Sequence, residues 1–500
     1  MVRNPTRILL LILVLMPGAA GAAAQQKAPP RRGSAVTQQP ANRPGTTAAQ
    51  EQPPAFDLTK VSVEATDWLV GLLRIDTSNP PGNELAAAKY VADILTRENI
   101  PADVFETAPG RGILIARLSS GPVPDPSRAL LLLGHLDVVG VQKEKWTVDP
   151  FGGVTKDGYL YGRGAIDDKG PLVANLAVLV ALKRAQVRLS RDVILLAEAD
   201  EEEGGEYGIQ FAIQKYWDKI AAGYAINEEG RVIVKNGKVQ FVAIQANEKI
   251  AVDVDVTATG TSGHASIPRK DNPIVHVAAA IAKIGEYAAP VQLNTVTHSY
   301  FEQLSKVEDE ETGKWMRALE TPDRAEHAAR WLSERNPVWN SMLHDTIAPT
   351  IFQAGFRSNV VPSEAKAVLN VRLLPGNLID PLVEKLRSLV NDPQVRFQVE
   401  PGLRGAAPSS SLDSELFKTI AAVAAKEFPE AVTVPMMSTG ATDSAPLRLR
   451  NVQAYGLVPF PLTEDDYRRM HADDERIPVE SFHKGIEFLY RIVTDFAAAK

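Results

Sequence analysis

The chain is 500 residues long, 45% hydrophobic and 23% charged, so it can bury a large core and is not disordered as a whole. Its formal net charge of −7 leaves no basic footprint for nucleic acid. It contains no cysteine, which excludes a disulfide scaffold, a thiol nucleophile, a thiolate zinc site and iron–sulfur ligation; any metal must rest on carboxylates and on eight histidines.

The chain opens as an export signal. Arg3 and Arg7 make a basic start, residues 8–16 are an unbroken apolar run, Pro17-Gly18 breaks it, and small residues with A-x-A spacing follow at 22–24. A run of that length, at about 1.5 Å per residue, falls short of a hydrocarbon core about 30 Å thick, which argues against a stable membrane span. Residues 1–24 therefore read as a signal peptide and the destination as secreted or periplasmic. Residues 25–57 are rich in Pro, Gln, Ala and Thr without apolar periodicity and read as a disordered linker. Residues 1–57 hold six Lys/Arg against two Asp/Glu, which leaves −11 on the remainder.

Beyond the linker, apolar strand-like runs alternate with amphipathic helices. Helices are predicted at 63–73, 83–98 and 172–185, and strands at 113–118, 129–134 and 192–198. That alternation predicts an α/β sandwich, helices around a mostly parallel sheet. Residues 249–259 then alternate polar with apolar (VDVDVTAT), the pattern of a strand solvated on one face. A helix at 273–287, strands at 347–356 and 365–374, a helix at 381–390 and a strand at 395–399 complete a β-α-β-β-α-β order, a ferredoxin-like α+β unit. A charged, helical stretch at 292–345 interrupts it. From about 403 the strand–helix reading returns. The expected domains are thus a catalytic domain in two parts, 58–248 and 403–500, with an inserted unit at 249–402.

The chemistry-bearing residues sit where these strands stop. LLLLGHLDVV places His135 and Asp137 at the carboxyl end of an apolar strand, where ligand sites collect in open α/β sheets. An i, i+2 pair in extended chain points to one side, so Asp137 can orient the His135 ring. YGRGAIDDKG sets Asp167 and Asp168 between a Gly-rich turn and a helix, where they could equally be an N-cap. LLAEADEEEGG runs a buried strand into four acids, which repel one another unless a cation sits there. AINEEG ends another short apolar strand in acids, and MHADDERI supplies His471. Two imidazoles with at least three carboxylates suit zinc, with manganese and cobalt as alternatives. The surplus of carboxylates favours two metals sharing a bridging acid.

In this order HLD, GRGAIDDKG (His135 to Asp167 spanning 32 residues), DEEEGG, NEEG and a late histidine resemble the aminoacylase/carboxypeptidase family of metallopeptidases. Carboxypeptidase G, succinyl-diaminopimelate desuccinylase and dipeptidases belong to that family, and the likeness covers residues 60–500. The stretch at 346–376 most resembles the carboxypeptidase S branch and the secreted N-acyl-amino-acid hydrolases. The resemblance implies a zinc-exopeptidase-like catalytic domain and makes the inserted unit a lid or dimerisation domain. It implies two zinc ions, one held by His135 and Glu228, the other by Glu202 and His471, with Asp167 bridging. Glu201 would be the general base and Asp137 the partner behind His135. Where the family often has Asp-Glu-Gly this chain has Glu228-Glu229-Gly230, so Glu229 stays an alternative ligand.

By the same resemblance His264, in GTSGHASIP, would stabilise the oxyanion from the small domain, often that of a partner subunit. Asn359 and Arg372 would hold a substrate carboxylate, a task that suits the planar arginine fork. The usual Asp-x-Arg is Asn370-x-Arg372 here, which removes a charge beside Arg372. Gly440 and Asp443 lie in a Gly-rich turn that would shape substrate contacts or the surroundings of the metals. The activity implied is hydrolysis of an amide bond beside a free carboxylate, with carboxypeptidase, dipeptidase and N-acyl-amino-acid hydrolase all open. A homodimer through the inserted unit is implied as well, unless the 292–345 stretch covers that unit's edge. The alternative, an inactive metal- or peptide-binding relative, would show a lost ligand or a lost base, and none is lost. A serine hydrolase lacks its G-x-S-x-G elbow.

Overall fold

In the computed structural model, residues 56–400 and 406–499 are described. The export signal at 1–24 and all but the last two residues of the predicted linker lie outside them. Leu130–His135 is apolar at every position but its end and is buried throughout, as a central parallel strand requires. It runs parallel to Val193–Glu198 on one side and to Tyr224–Asn227 on the other, and Gln453–Gly456 continues the parallel set beyond Tyr224–Asn227. In this ten-stranded sheet Ala102–Ala108 and Arg111–Leu118 form an antiparallel flank at one end; toward the other lies the antiparallel hairpin Arg231–Lys235 and Lys238–Glu248, with Pro461–Thr463 and Val432–Ser438 paired in parallel to its two strands.

Strand parity sorts the core into two layers. Leu130, Leu132 and Leu195 face the layer of Leu58–Leu73, Lys169–Arg184 and Val479–Ala497, while Leu131, Leu133 and Ile194 face Ile209–Lys215 on the other side. Lys169–Arg184 is buried at every residue from Lys169 to Leu182, as its nearly all-apolar sequence demands. The predicted α/β sandwich with a mostly parallel central sheet is the observed fold.

A second sheet orders its four strands Thr346–Ala354, Glu364–Leu373, Ile250–Thr259, Val395–Val399, every pair antiparallel. Helices Pro273–Gly285 and Ile379–Val390 cover one face, with Val254, Val256, Leu369 and Val371 packed beneath them. This is the ferredoxin-like order that the sequence predicts. Only Lys249 separates the last strand residue of the large sheet, Glu248, from the first of the small one, Ile250. Its buried ammonium donates to the carbonyls of Ser341 (2.9 Å) and His344 (2.7 Å) and to Thr346 Oγ1 (3.0 Å), tying the two chain crossings together.

The 292–345 stretch forms four helices, Thr295–Leu304, Glu310–Ala318, Pro322–Arg335 and Pro337–Leu343. Their apolar residues, among them Phe301, Met316 and Leu332, join the core of the large sheet, not the small one. The alternative that they cover the edge of the small sheet is therefore corrected: Thr346–Ala354 is an edge strand exposed from Ala348 onward. Among the described residues no helix is long and apolar enough to cross a membrane.

Candidate metal centre

Three neighbouring parallel strands end on the same side of the large sheet, and each ends in chemistry. Leu130–His135 delivers His135, Val193–Glu198 leads into the turn Glu201–Glu203, and Tyr224–Asn227 leads into Glu228. The Glu228 turn needs Gly230 at φ +64°, since a Cβ there would lie 2.2 Å from the carbonyl oxygen of Gly456. Asp167 arrives from the loop before Lys169–Arg184, and His471 from the loop before Arg476–Pro478.

These groups converge. His135 Nε2 lies 3.0 Å from Asp167 Oδ1 and 3.8 Å from Glu228 Oε2. His471 Nε2 lies 3.0 Å from Asp167 Oδ2 and 3.2 Å from Glu202 Oε1. Asp167 thus turns one oxygen to each imidazole. Two groups of candidate ligands result, His135–Asp167–Glu228 and Asp167–Glu202–His471, each with its donor atoms within 4.8 Å of one another. Glu229 is in neither group; it accepts from Ser438 Oγ at 2.9 Å and lines the cavity beside them. The donor set fits divalent metal: imidazole and carboxylate only, a shared carboxylate between two clusters, and acids crowded enough to need positive charge.

The electrostatics carry the same message. Burial opposes charge on His135, but Asp137, Asp167 and Glu228 outweigh it and hold its pKa well above the ordinary imidazole value. Asp167 and Glu202 raise that of His471 to about 10. Burial would push the Asp167 carboxyl up, yet the two imidazoles pull it well below the usual range. Glu228 moves up, through burial first and the nearby Glu201 carboxylate second.

Partners behind the cluster fix it. His135 Nδ1 lies 3.0 Å from the main-chain carbonyl oxygen of Asp137 and 3.5 Å from its carboxylate. That carboxylate accepts from the backbone N–H groups of Glu201 and Glu202, each at 3.1 Å, and from Asn79 Nδ2 at 2.8 Å. Glu475, fully buried, accepts from the backbone N–H groups of Gly164 (3.0 Å), Ile166 (2.8 Å) and Asp167 (3.1 Å) and from Arg163. Sequence reasoning passes over Asn79 and Glu475; an acid four residues after His471 was the one available signal.

Glu201, Glu202, Asp167 and His471 line a cavity of about 400 Å³ together with Arg372 and Gly440. Arg372 enters it from the small sheet. His264 and Asn359 are brought together elsewhere: His264 pairs in register with Val360, and the Ala265 N–H donates to the Asn359 carbonyl at 3.0 Å. Both are exposed and neither lines the cavity.

A carboxylate–imidazole cluster at the strand ends of an α/β sheet, opening to a cavity with one arginine, defines a metal-dependent hydrolase. Residues 131–495 match the model of peptidase family M20/M25/M40. The chain is 29% identical over 375 residues, 74% of each protein, to the human (Homo sapiens) N-fatty-acyl-amino acid synthase/hydrolase PM20D1. It is 30% identical over 382 residues to the probable carboxypeptidase S-like 2 of Dictyostelium discoideum, covering 73% of this chain and 71% of that one. Among solved structures, the M20 family metallo-carboxypeptidase Sso-CP2 from Sulfolobus solfataricus has the same fold, with a TM-score of 0.64 at 20% identity, covering 87% of this chain and 99% of that one. The chain belongs to peptidase family M20/M25/M40, as its motif order implies.

Proposed function

We propose that this chain is an exported dinuclear zinc hydrolase that cleaves an amide bond next to a free carboxylate, in an N-acyl amino acid or a short peptide. The observation that carries this reading is Asp167, whose two oxygens address two different imidazoles 3.0 Å away. His135 and Glu228 would hold one ion, Glu202 and His471 the other, and Asp167 both; cobalt or manganese would suit the same donors. Bound there, the ions supply Lewis acidity for the scissile carbonyl and for an attacking water.

The protein's own groups do the rest. Glu201, on the cavity wall, takes the proton of the attacking water and returns it to the leaving amine. Asp137 holds the turn that carries Glu201 and the strand end that carries His135. Arg372 binds the substrate carboxylate, and Gly440, which lines the same cavity, contributes to substrate contacts. His264, exposed on the short strand Gly263–His264 of the inserted unit, acts as the oxyanion donor only after domain closure or from a second copy. The domains at 58–248 with 403–500, and at 249–402, are the two bodies such closure would move. Export rests on residues 1–24, and the names of the matched relatives favour acyl amino acids and C-terminal peptide bonds as substrates.

The test is Glu201→Gln after zinc reconstitution, assayed on N-acyl amino acids beside dipeptides. Turnover is expected to fall by about 10²–10⁴-fold with bound metal unchanged. Activity that survives both this substitution and exhaustive chelation would overturn the mechanism.

A further inference from the structure

The small sheet places four side chains on the face turned away from its helices. Ala251 and Asp253 alternate along Ile250–Thr259, and Asn370 and Arg372 along Glu364–Leu373, while Val254, Leu369 and Val371 point into the helix-covered core. The register is direct: Asp253 lies opposite Asn370, and Ala251 opposite Arg372. Asn370 Nδ2 donates to Asp253 Oδ1 at 2.8 Å, and Arg372 Nε donates to Asn370 Oδ1 at 3.0 Å. Arg372 and Ala251 line the cavity, whereas Asp253 does not.

We infer that Asp253 is a positioning residue for Arg372, acting through Asn370, and so determines preference for a free carboxylate; this rests on the reading of Arg372 given above. A carboxamide has one donating end and one accepting end. A carboxylate on one side and a guanidinium on the other therefore permit a single orientation of the Asn370 amide. Without Asp253 the amide can turn over, present its NH₂ to Arg372, and lose the bond that sets the plane of the fork. The negative charge missing beside Arg372 in its own strand is thus supplied from the next strand, one residue pair away. Ala251, opposite Arg372, adds only a methyl group, so the neighbouring position leaves the arginine room to reach the cavity.

The experiment compares kcat/KM for the N-acyl amino acid turned over in the assays above with that for its carboxamide counterpart. Asp253 is exposed, so Asp253→Ala should fold. It is expected to raise KM for the free acid by about tenfold with kcat changed by less than about twofold, and to leave the carboxamide unaffected. Adding Asn370→Asp to that variant gives residue 370 two accepting oxygens, so that either orientation accepts from Arg372, and should restore KM to within about twofold of the parent. A purely structural role for Asp253 would weaken both substrates alike and would not be rescued. The relay is overturned if Arg372→Ala abolishes the acid preference while Asp253→Ala leaves it intact. If Arg372→Ala itself leaves the preference intact, the carboxylate reading falls, and the relay falls with it.

Discussion

Carboxylates ring both imidazoles at the centre of this site. His135 and His471 both hold raised pKa values because carboxylates surround them, and Glu228 is pushed toward its neutral form by burial and by Glu201. An incoming zinc ion must displace those protons, so apparent affinity is expected to rise with pH. Stability of the chelated protein should move the other way. The His471 pKa lies near 10, above its ordinary 6.5, so its ion pairs contribute fully below pH 6.5 and are lost as pH climbs towards 10. Calorimetric zinc titrations at about pH 6 and about pH 8 should differ by up to about tenfold per pH unit for each proton displaced. Thermal melts of chelated and zinc-loaded protein over the same range should diverge as pH rises. Zinc affinity independent of pH would mean that the imidazoles are already neutral in the free protein.

Between elements, one buried network holds the turn that carries Glu201. Arg111 opens an edge-side strand and makes two 2.6 Å bonds to Glu84, at the start of the helix Glu84–Arg97. The same guanidinium donates to Asp200 Oδ1 at 2.9 Å, and Asn79 joins Asp200 to Asp137. Asp200 sits at φ +71°, a left-handed conformation that a non-glycine residue holds only when its surroundings enforce it, and Glu201 follows directly. Arg111→Met would leave two buried carboxylates without their cation. It is expected to cost about 3–5 kcal/mol in denaturant unfolding and to lower kcat with KM nearly unchanged. A stability loss with normal kcat would show that the turn is held by other means. None of these partners is legible in the sequence, because Glu84, Arg111 and Asp200 are far apart in the chain and each alone resembles a solvated charge. His135, Asp167, Glu202 and Glu228 are legible for the opposite reason: each follows an apolar run or a Gly-rich turn, and the topology of parallel strands then does the gathering.

At the scale of the whole molecule the fold and family were readable from periodicity and motif order, while the packing of the 292–345 helices was not. The sequence left open that they cover the edge of the small sheet, yet the faces carrying Phe301, Met316 and Leu332 close over the large sheet. The small sheet is therefore left with an open edge, where Ile351 and Phe352 are about half exposed. The same inserted unit carries His264, on the two-residue strand Gly263–His264 paired with Val360–Val361, and Asn359 just before that partner strand; neither lines the cavity of its own chain. An open edge strand is a template for pairing with another chain, and a second copy is the partner that would also deliver the histidine. Light scattering should give twice the chain mass, and Ile351→Lys with Phe352→Glu should give a monomer with activity as low as His264→Ala. The decisive measurement mixes two inactive variants, Glu201→Gln and His264→Ala. If the histidine crosses between subunits, each mixed dimer holds one complete site, and activity should return to about a quarter of the parent value. If His264 instead reaches its own cavity by closure of the chain, every site in the mixture lacks one group and no activity returns.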